Sequence, residues 1–110
     1  MGVGIDIVDI KRIKKVMDKY GERFLDRVFS FEERLLLKTR KNIHETIAGR
    51  FAAKEAFIKA TGMKLPLKHI KVFQNMGRPY IDFNGKIYNG ISISHERVFA
   101  VAVVIINEDV

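Results

Sequence analysis

The stretch RFAAKEAFIKATG, Arg50 to Gly62, predicts the helix around which this chain folds. The helix is expected to begin near residues 42–44 and to end at Gly62, because glycine commonly terminates helices. At about 100° per residue, small and apolar side chains cover nearly its whole circumference, which is typical of a helix enclosed by other elements. Glu55 nevertheless falls near the centre of the most apolar stripe. A buried carboxylate without a partner is costly, so Glu55 must have one.

Two kinds of partner are open for Glu55. The first is a structural ion pair with Lys59, four residues further on, in the favourable orientation for such a pair. The second is a metal ion shared with Asp6, another acid in an unusual place. Asp6 lies mid-strand, where aspartate is depleted, and it shares a strand face with Gly4 and Val8. These small neighbours would leave room for something large.

A shared ion would be Mg²⁺ in our interpretation. Magnesium takes one or two carboxylates, keeps several waters, and completes its shell with substrate phosphate oxygens. The cations Arg50, Lys54 and Lys59 would then bind the remaining phosphate charge. The pattern therefore predicts a phosphate-and-metal site rather than a hydrolytic triad.

The other elements follow from periodicity and turn residues. Alternation predicts a strand at residues 3–8, and a helix capped by Asp9 is expected to end at Gly21. A short turn with Phe24, Leu25 and Val28 should precede a helix opened by a capping box of Ser30 and Glu33. Later strands are expected at residues 70–73, 80–83, 91–94 and 98–106, with hairpin signals at Asn84-Gly85 and Asn89-Gly90.

This order of elements predicts one α+β domain, residues 1–110, with a central buried helix packed on an antiparallel sheet. The absence of cysteine excludes disulfides and thiolate metal sites. No signal-peptide pattern opens the chain, and its longest apolar run is half the length of a membrane-spanning helix. We therefore expect a cytoplasmic protein with no membrane partner.

The net charge of +7 favours anionic partners. Nucleic acid, a nucleotide cofactor and an acidic protein all fit this charge. The chain lacks the GxGxxG and GxxxxGK[ST] nucleotide fingerprints. Ser92, Ser94 and His95 are residue types of a nucleophile and its base. However, no acid is clearly placed to orient the histidine, and neighbouring strand residues face opposite ways, so we do not expect a serine nucleophile.

Three blocks of sequence together resemble the holo-[acyl-carrier-protein] synthases, the small bacterial 4′-phosphopantetheinyl transferases. They are GIDIVDIKRI from Gly4 to Ile13, GRFAAKEAFIKATG from Gly49 to Gly62, and SISH from Ser92 to His95. The blocks keep the family's order and span nearly the whole chain. One departure is Ala60, which stands where the family's Gly-Thr-Gly loop usually begins.

The resemblance implies a phosphopantetheinyl transferase fold and a reaction. Phosphopantetheine would pass from coenzyme A to a serine of apo-acyl carrier protein, leaving adenosine 3′,5′-bisphosphate, in fatty acid biosynthesis. Asp6 and Glu55 match the family's magnesium ligands, and Lys59 matches a catalytic lysine near the pyrophosphate. The serine proton would go to a water on the metal or to Glu55 itself.

The same resemblance assigns the binding residues. Arg50 and His95 match positions that contact the nucleotide end of coenzyme A, and Gly62 lets the backbone approach the phosphates. Arg12 and Arg23 match basic positions that meet the acidic recognition helix of the carrier. The family's enzymes are homotrimers with active sites at subunit interfaces, so the resemblance implies a homotrimer here.

Two other functions are weighed against this one. The positive charge alone supports a small basic RNA-binding module, but the basic residues are scattered and no aromatic-rich strand provides a stacking platform. We therefore expect no nucleic-acid partner. A non-catalytic trimer subunit is disfavoured because Asp6, Glu55 and Lys59 are all present.

Overall fold

The computed structural model describes residues 1–107 of the chain. Its helices are α1 (Ile10–Tyr20), α2 (Glu22–Val28), α3 (Phe31–Leu37) and α4 (Ile43–Thr61), with a 3₁₀ turn at Leu67–His69. Its strands are β1 (Gly2–Asp9), β2 (Ile70–Asn75), β3 (Arg78–Phe83), β4 (Lys86–Tyr88), β5 (Ile91–His95) and β6 (Phe99–Ile106). No helix among these is both long and apolar enough to cross a membrane.

The strands form two antiparallel sheets of three strands each. The first has the order β1-β6-β5, so the start of the chain pairs with its end, and the second is the meander β2-β3-β4. The predicted α+β class is confirmed, with two sheets where one was expected. The Asn89-Gly90 signal is not a hairpin, because it joins β4 of the second sheet to β5 of the first.

Helix α4 packs closely on β1. A Cβ on Gly4 would lie 1.8 Å from the backbone oxygen of Ala56, and one on Gly2 would lie 2.0 Å from that of Ala60. The small residues that were expected to leave room for a ligand therefore leave room for the backbone of α4. This close approach places the strand residue Asp6 beside the helix.

Another side of α4 contacts the second sheet through aromatic side chains. The ring of Phe57 lies 5.5 Å from that of Phe83 and 5.1 Å from that of Tyr88, measured between centroids. Phe57 is fully buried, as are Ala48, Ala52 and Ala56. The predicted enclosure of this helix is thus confirmed: it is the common core element of both sheets.

Residues 24–28 form a helix, not the predicted turn. Gly21 ends α1 and directly precedes α2, and the apolar residues Phe24, Leu25 and Val28 have the spacing of a helical face. The capping box at the next helix is confirmed: the backbone N–H of Glu33 donates to Ser30 Oγ, and the backbone N–H of Ser30 donates to Glu33 Oε1.

One face of the first sheet is apolar and uncovered in the single chain. We call it the outer sheet face. Its side chains come from alternate residues of β1 and β6, which are paired across the ladder: Val3, Ile5, Ile7, Phe99, Val101, Val103 and Ile105. Ile5 is 60% exposed and Ile7 61%, unusually open for aliphatic residues in a strand.

Candidate active site

Asp6 and Lys59 form an ion pair where β1 crosses α4, and Glu55 lies near enough that, besides burial, the charge of Asp6 raises its pKa. The Lys59 ammonium lies 3.1 Å from Asp6 Oδ1 and donates a second hydrogen bond of 2.9 Å to the backbone carbonyl of Ile5. Within the described residues its ion pair is with Asp6, not with Glu55 on the same helix. The structural Glu55–Lys59 pair left open by the sequence is therefore not formed.

The two carboxylates influence each other. Burial, and then the negative charge of Asp6, raise the pKa of Glu55, while the charge of Lys59 lowers it. Two acids that repel each other in a partly desolvated place gain from any cation bound between them. Among the described residues no cluster of three or more acidic, histidine or cysteine side chains forms a metal cage. A two-carboxylate donor set fits Mg²⁺, whose shell is completed by water and phosphate oxygens.

Lys54 does not belong to this site. Its ammonium is fully buried and donates to Glu33 Oε1 at 2.7 Å and to the carbonyls of Val28 and Leu67 at 2.8 and 2.9 Å. Burial lowers the pKa of Lys54 to about 8, against the favourable charge of Glu33. The predicted role of Lys54 in phosphate binding is wrong, because the folded core satisfies all of its donors.

Arg50 and His95 line one pocket of about 200 Å³. Arg50 is 6% exposed, and its Nη1 donates a 2.6 Å hydrogen bond to the carbonyl of Val72. Burial, and then the positive charge of Arg40, lower the pKa of Arg50. Two guanidinium groups therefore face one pocket, and the buried one has only a neutral acceptor among residues 1–107, an arrangement that favours a bound anion.

The pocket also contains two charged residues that sequence reasoning missed, Arg40 and Glu45. His95 Nδ1 lies 3.5 Å from Glu45 Oε2. The expectation that no acid orients His95 is thus wrong. The partner comes from the first turn of α4, 50 residues earlier, and no spacing pattern in the sequence points to it.

Gly62 ends α4 in the left-handed conformation, with φ 71°, and donates to the carbonyl of Ile58. A Cβ added to Gly62 would have no atom within 4 Å. The position is therefore open, and glycine is favoured there by its backbone angle. Open space at this helix end is compatible with the approach of phosphates that the resemblance implies.

Arg12 and Arg23 are both exposed, on α1 and α2. Arg23 lines a surface depression with Tyr20 and Phe24, so a positive charge lies beside aromatic surface. Neither arginine lines the pocket of Arg50 and His95. This part of the surface can meet a macromolecule without blocking that pocket.

The carboxylate pair and the pocket lie on different sides of α4. At about 100° per residue, Arg50 and Lys59 point in directions about 180° apart around the helix axis. The residues that line the pocket do not include Asp6, Glu55 or Lys59. A single chain therefore carries the two groups of predicted site residues on separate surfaces.

Comparison with known proteins identifies the family. Residues 2–104 match the model of the 4′-phosphopantetheinyl transferase superfamily. The chain is 45% identical to the holo-[acyl-carrier-protein] synthase of Halothermothrix orenii, over 94% of each protein. It is 47% identical to that of Thermodesulfovibrio yellowstonii, over 96% of each.

Solved structures agree in fold. The holo-(acyl-carrier-protein) synthase of Bacillus anthracis, in complex with CoA (3′,5′-ADP), superposes with a TM-score of 0.80 at 37% identity, covering 94% of this chain and 92% of that one. The Helicobacter pylori enzyme in complex with coenzyme A gives 0.83 at 34% identity, covering 94% and 97%. The chain therefore belongs to the holo-[acyl-carrier-protein] synthases of the 4′-phosphopantetheinyl transferase superfamily.

Proposed function

We propose that Asp6 and Glu55 hold Mg²⁺ for the reaction of this family, the transfer of 4′-phosphopantetheine from coenzyme A to a serine of apo-acyl carrier protein. The observation that carries the proposal is the Asp6–Lys59 ion pair where β1 crosses α4, beside a partly buried Glu55 whose pKa is raised by burial and by the charge of Asp6. When bound there, the metal would neutralise the pyrophosphate and polarise the phosphate that is attacked.

The protein's own residues would position and neutralise the substrate. The side chain of Lys59 is 55% exposed, so its ammonium can exchange the weak contact with Asp6 for a phosphate oxygen. Phosphoryl transfer depends mainly on positioning and on such charge stabilisation. Glu55 is a candidate acceptor of the serine proton, since its pKa is raised by burial and by the charge of Asp6.

The pocket of Arg50 and His95 would take the nucleotide end of coenzyme A. Support comes from the two guanidinium groups of Arg40 and Arg50, which face the pocket without a carboxylate paired to Arg50 in the described part of the chain. Gly62 would leave the backbone accessible to the phosphates. Arg12 and Arg23 would bind the acidic recognition helix of the carrier, because both are exposed and lie outside the pocket.

A homotrimer is part of the proposal. The outer sheet face would otherwise expose a row of aliphatic side chains to water, and exposed apolar patches of this kind mark interaction sites. An interface between copies would also bring the carboxylate pair of one subunit toward the pocket of another, which one chain cannot do across α4. The cytoplasmic location and the absence of nucleic-acid and membrane partners remain predictions.

Mass spectrometry of apo-acyl carrier protein incubated with coenzyme A, Mg²⁺ and the protein tests the function. We expect one phosphopantetheine on one serine, no gain in EDTA, and no gain with Asp6→Asn. Unchanged transfer by Asp6→Asn at limiting Mg²⁺ would contradict the metal site. Sedimentation of the wild type and of Ile5→Asp tests the trimer: the wild type should sediment as a trimer and the variant should dissociate.

A further inference from the structure

The pocket of Arg50 and His95 contains one acid among the described residues that line it, Glu45. Glu45 lies in the first turn of α4, and its Oε2 is 3.5 Å from Nδ1 of His95, the last residue of β5. The side chain of His95 is 49% exposed and that of Glu45 is 32% exposed. Both side chains are accessible from the pocket but are held by different elements.

A carboxylate is unfavourable in a pocket that binds phosphate. By charge alone, Glu45 would repel the anion that Arg40 and Arg50 attract. It is nevertheless close to the histidine, and an oxygen acceptor at one ring nitrogen determines which nitrogen carries the proton. A carboxylate at Nδ1 holds the ring with Nδ1–H directed at itself. When the imidazole is neutral, Nε2 is then an acceptor; when it is protonated, Nε2–H is a charged donor directed away from Glu45.

We propose that Glu45 is a positioning residue: its carboxylate faces Nδ1 of His95 and orients the ring so that Nε2 is directed at a phosphate of the coenzyme A nucleotide. This inference rests on the proposed function in one respect, that the pocket takes the nucleotide end. Glu45 itself does not touch the nucleotide. It acts through His95, and its own charge opposes binding.

The two possible roles of Glu45 predict opposite effects of the Glu45→Gln substitution on the affinity for phosphate. If Glu45 is only a nearby negative charge, Glu45→Gln should tighten the binding of a phosphate. If Glu45 positions His95, the same substitution should weaken binding, because the imidazole loses the carboxylate that orients it. In a His95→Ala background nothing is left to position, so Glu45→Gln should then tighten binding or leave it unchanged.

Calorimetric titration with adenosine 3′,5′-bisphosphate, without Mg²⁺, measures this directly. Because the acceptor would be a charged phosphate, loss of the hydrogen bond in His95→Ala should weaken binding roughly tenfold or more, and Glu45→Gln should weaken it about three- to tenfold. The double variant should bind no more weakly than His95→Ala alone. Glu96→Gln is the matched control: it removes an exposed acid next to His95 that does not line the pocket, and it should not weaken binding.

The ¹⁵N chemical shifts of the His95 ring provide a second readout, which a purely structural role would not change. We expect the neutral ring to carry its proton on Nδ1 in the wild type, and a mixture of the two tautomers in Glu45→Gln. Tighter binding by Glu45→Gln, additive losses in the double variant, or identical ring shifts would each overturn the proposal. A wild type that does not bind the bisphosphate would refute the nucleotide pocket, while the ring shifts would still decide whether Glu45 orients His95.

Discussion

Replacing each of two lysines of α4 by methionine should separate stability from activity. Lys54 and Lys59 lie five residues apart on the same helix. Lys54 Nζ is fully buried and donates to Glu33 and to two backbone carbonyls. Lys59 Nζ is largely exposed and bridges Asp6 and one carbonyl. Methionine has similar length and no charge, so Lys54→Met and Lys59→Met are a matched pair.

The cost at Lys54 follows from what the substitution leaves behind. Glu33 would remain fully buried without its cation, keeping only the N–H groups of Ser30 and Val72 as donors. Removing one partner of a buried pair costs about 3–5 kcal/mol. That is a large part of a total stability of about 5–15 kcal/mol. The melting temperature should fall by about 15 °C or more.

Lys59→Met should behave in the opposite way. The Lys59 side chain is 55% exposed, and an ion pair open to water on one side contributes only about 0–1 kcal/mol, so stability should change little. Transfer should fall at least about a hundredfold, the scale of losing one charge-stabilising donor. Urea unfolding at one protein concentration measures both stabilities, since any oligomer would make them depend on concentration.

A double-mutant cycle with Glu33→Gln checks the cause of the instability. With the buried charge removed, Lys54→Met should cost about 2 kcal/mol less than it does in the wild type. Equal stability losses in Lys54→Met and Lys59→Met would refute this reasoning. So would a lower transfer rate per folded molecule in Lys54→Met than in Lys59→Met.

Three further predictions concern the site, the core and the carrier surface. Glu55→Gln should fold but lose transfer at least about a hundredfold. In the wild type, the Mg²⁺ concentration needed for half-maximal rate should rise as pH falls, because protons compete with the metal for a carboxylate of raised pKa. A Mg²⁺ requirement that does not change with pH would contradict this. Gly4→Ala should lower the free energy of unfolding by about 3 kcal/mol, because the added Cβ would meet the backbone of α4. In Gly49→Ala the added Cβ meets only the side chain of Ile93, so its free energy of unfolding in urea should stay within about 1 kcal/mol of the wild type. Arg12→Glu should raise the Michaelis constant for the carrier about tenfold or more, since reversing one interface charge costs a few kcal/mol. The Michaelis constant for coenzyme A should not change. Equal changes in both constants would show that α1 is not part of the surface that binds the carrier.

Local structural features could be predicted from the sequence. The capping box of Ser30 and Glu33, the end of α4 at Gly62, and the turn at Asn84-Gly85 all form as predicted. Each depends on residues within a few positions of one another. The burial of α4 was also predictable, since a helix with apolar residues on every side must be enclosed.

Contacts between residues far apart in the sequence could not be predicted. Charge and periodicity alone gave Lys54 and Lys59 the same phosphate-binding role, and the placement of Glu33 beside one and Asp6 beside the other separates them. Glu45 meets His95 because the end of β5 lies beside the start of α4. Such pairings depend on the register of whole elements, which no local pattern encodes.

The three cations of α4 differ in how many donors the fold leaves free. Lys54 has three N–H groups, and three acceptors occupy them. Lys59 also has three N–H groups, and within residues 1–107 two of them are used, one by Asp6 and one by a backbone carbonyl. Arg50 has five, and one is used in that same part of the chain. Because a cation binds phosphate through donors that the protein has not already satisfied, free donor capacity assigns Arg50 and Lys59 to the substrate and Lys54 to the core.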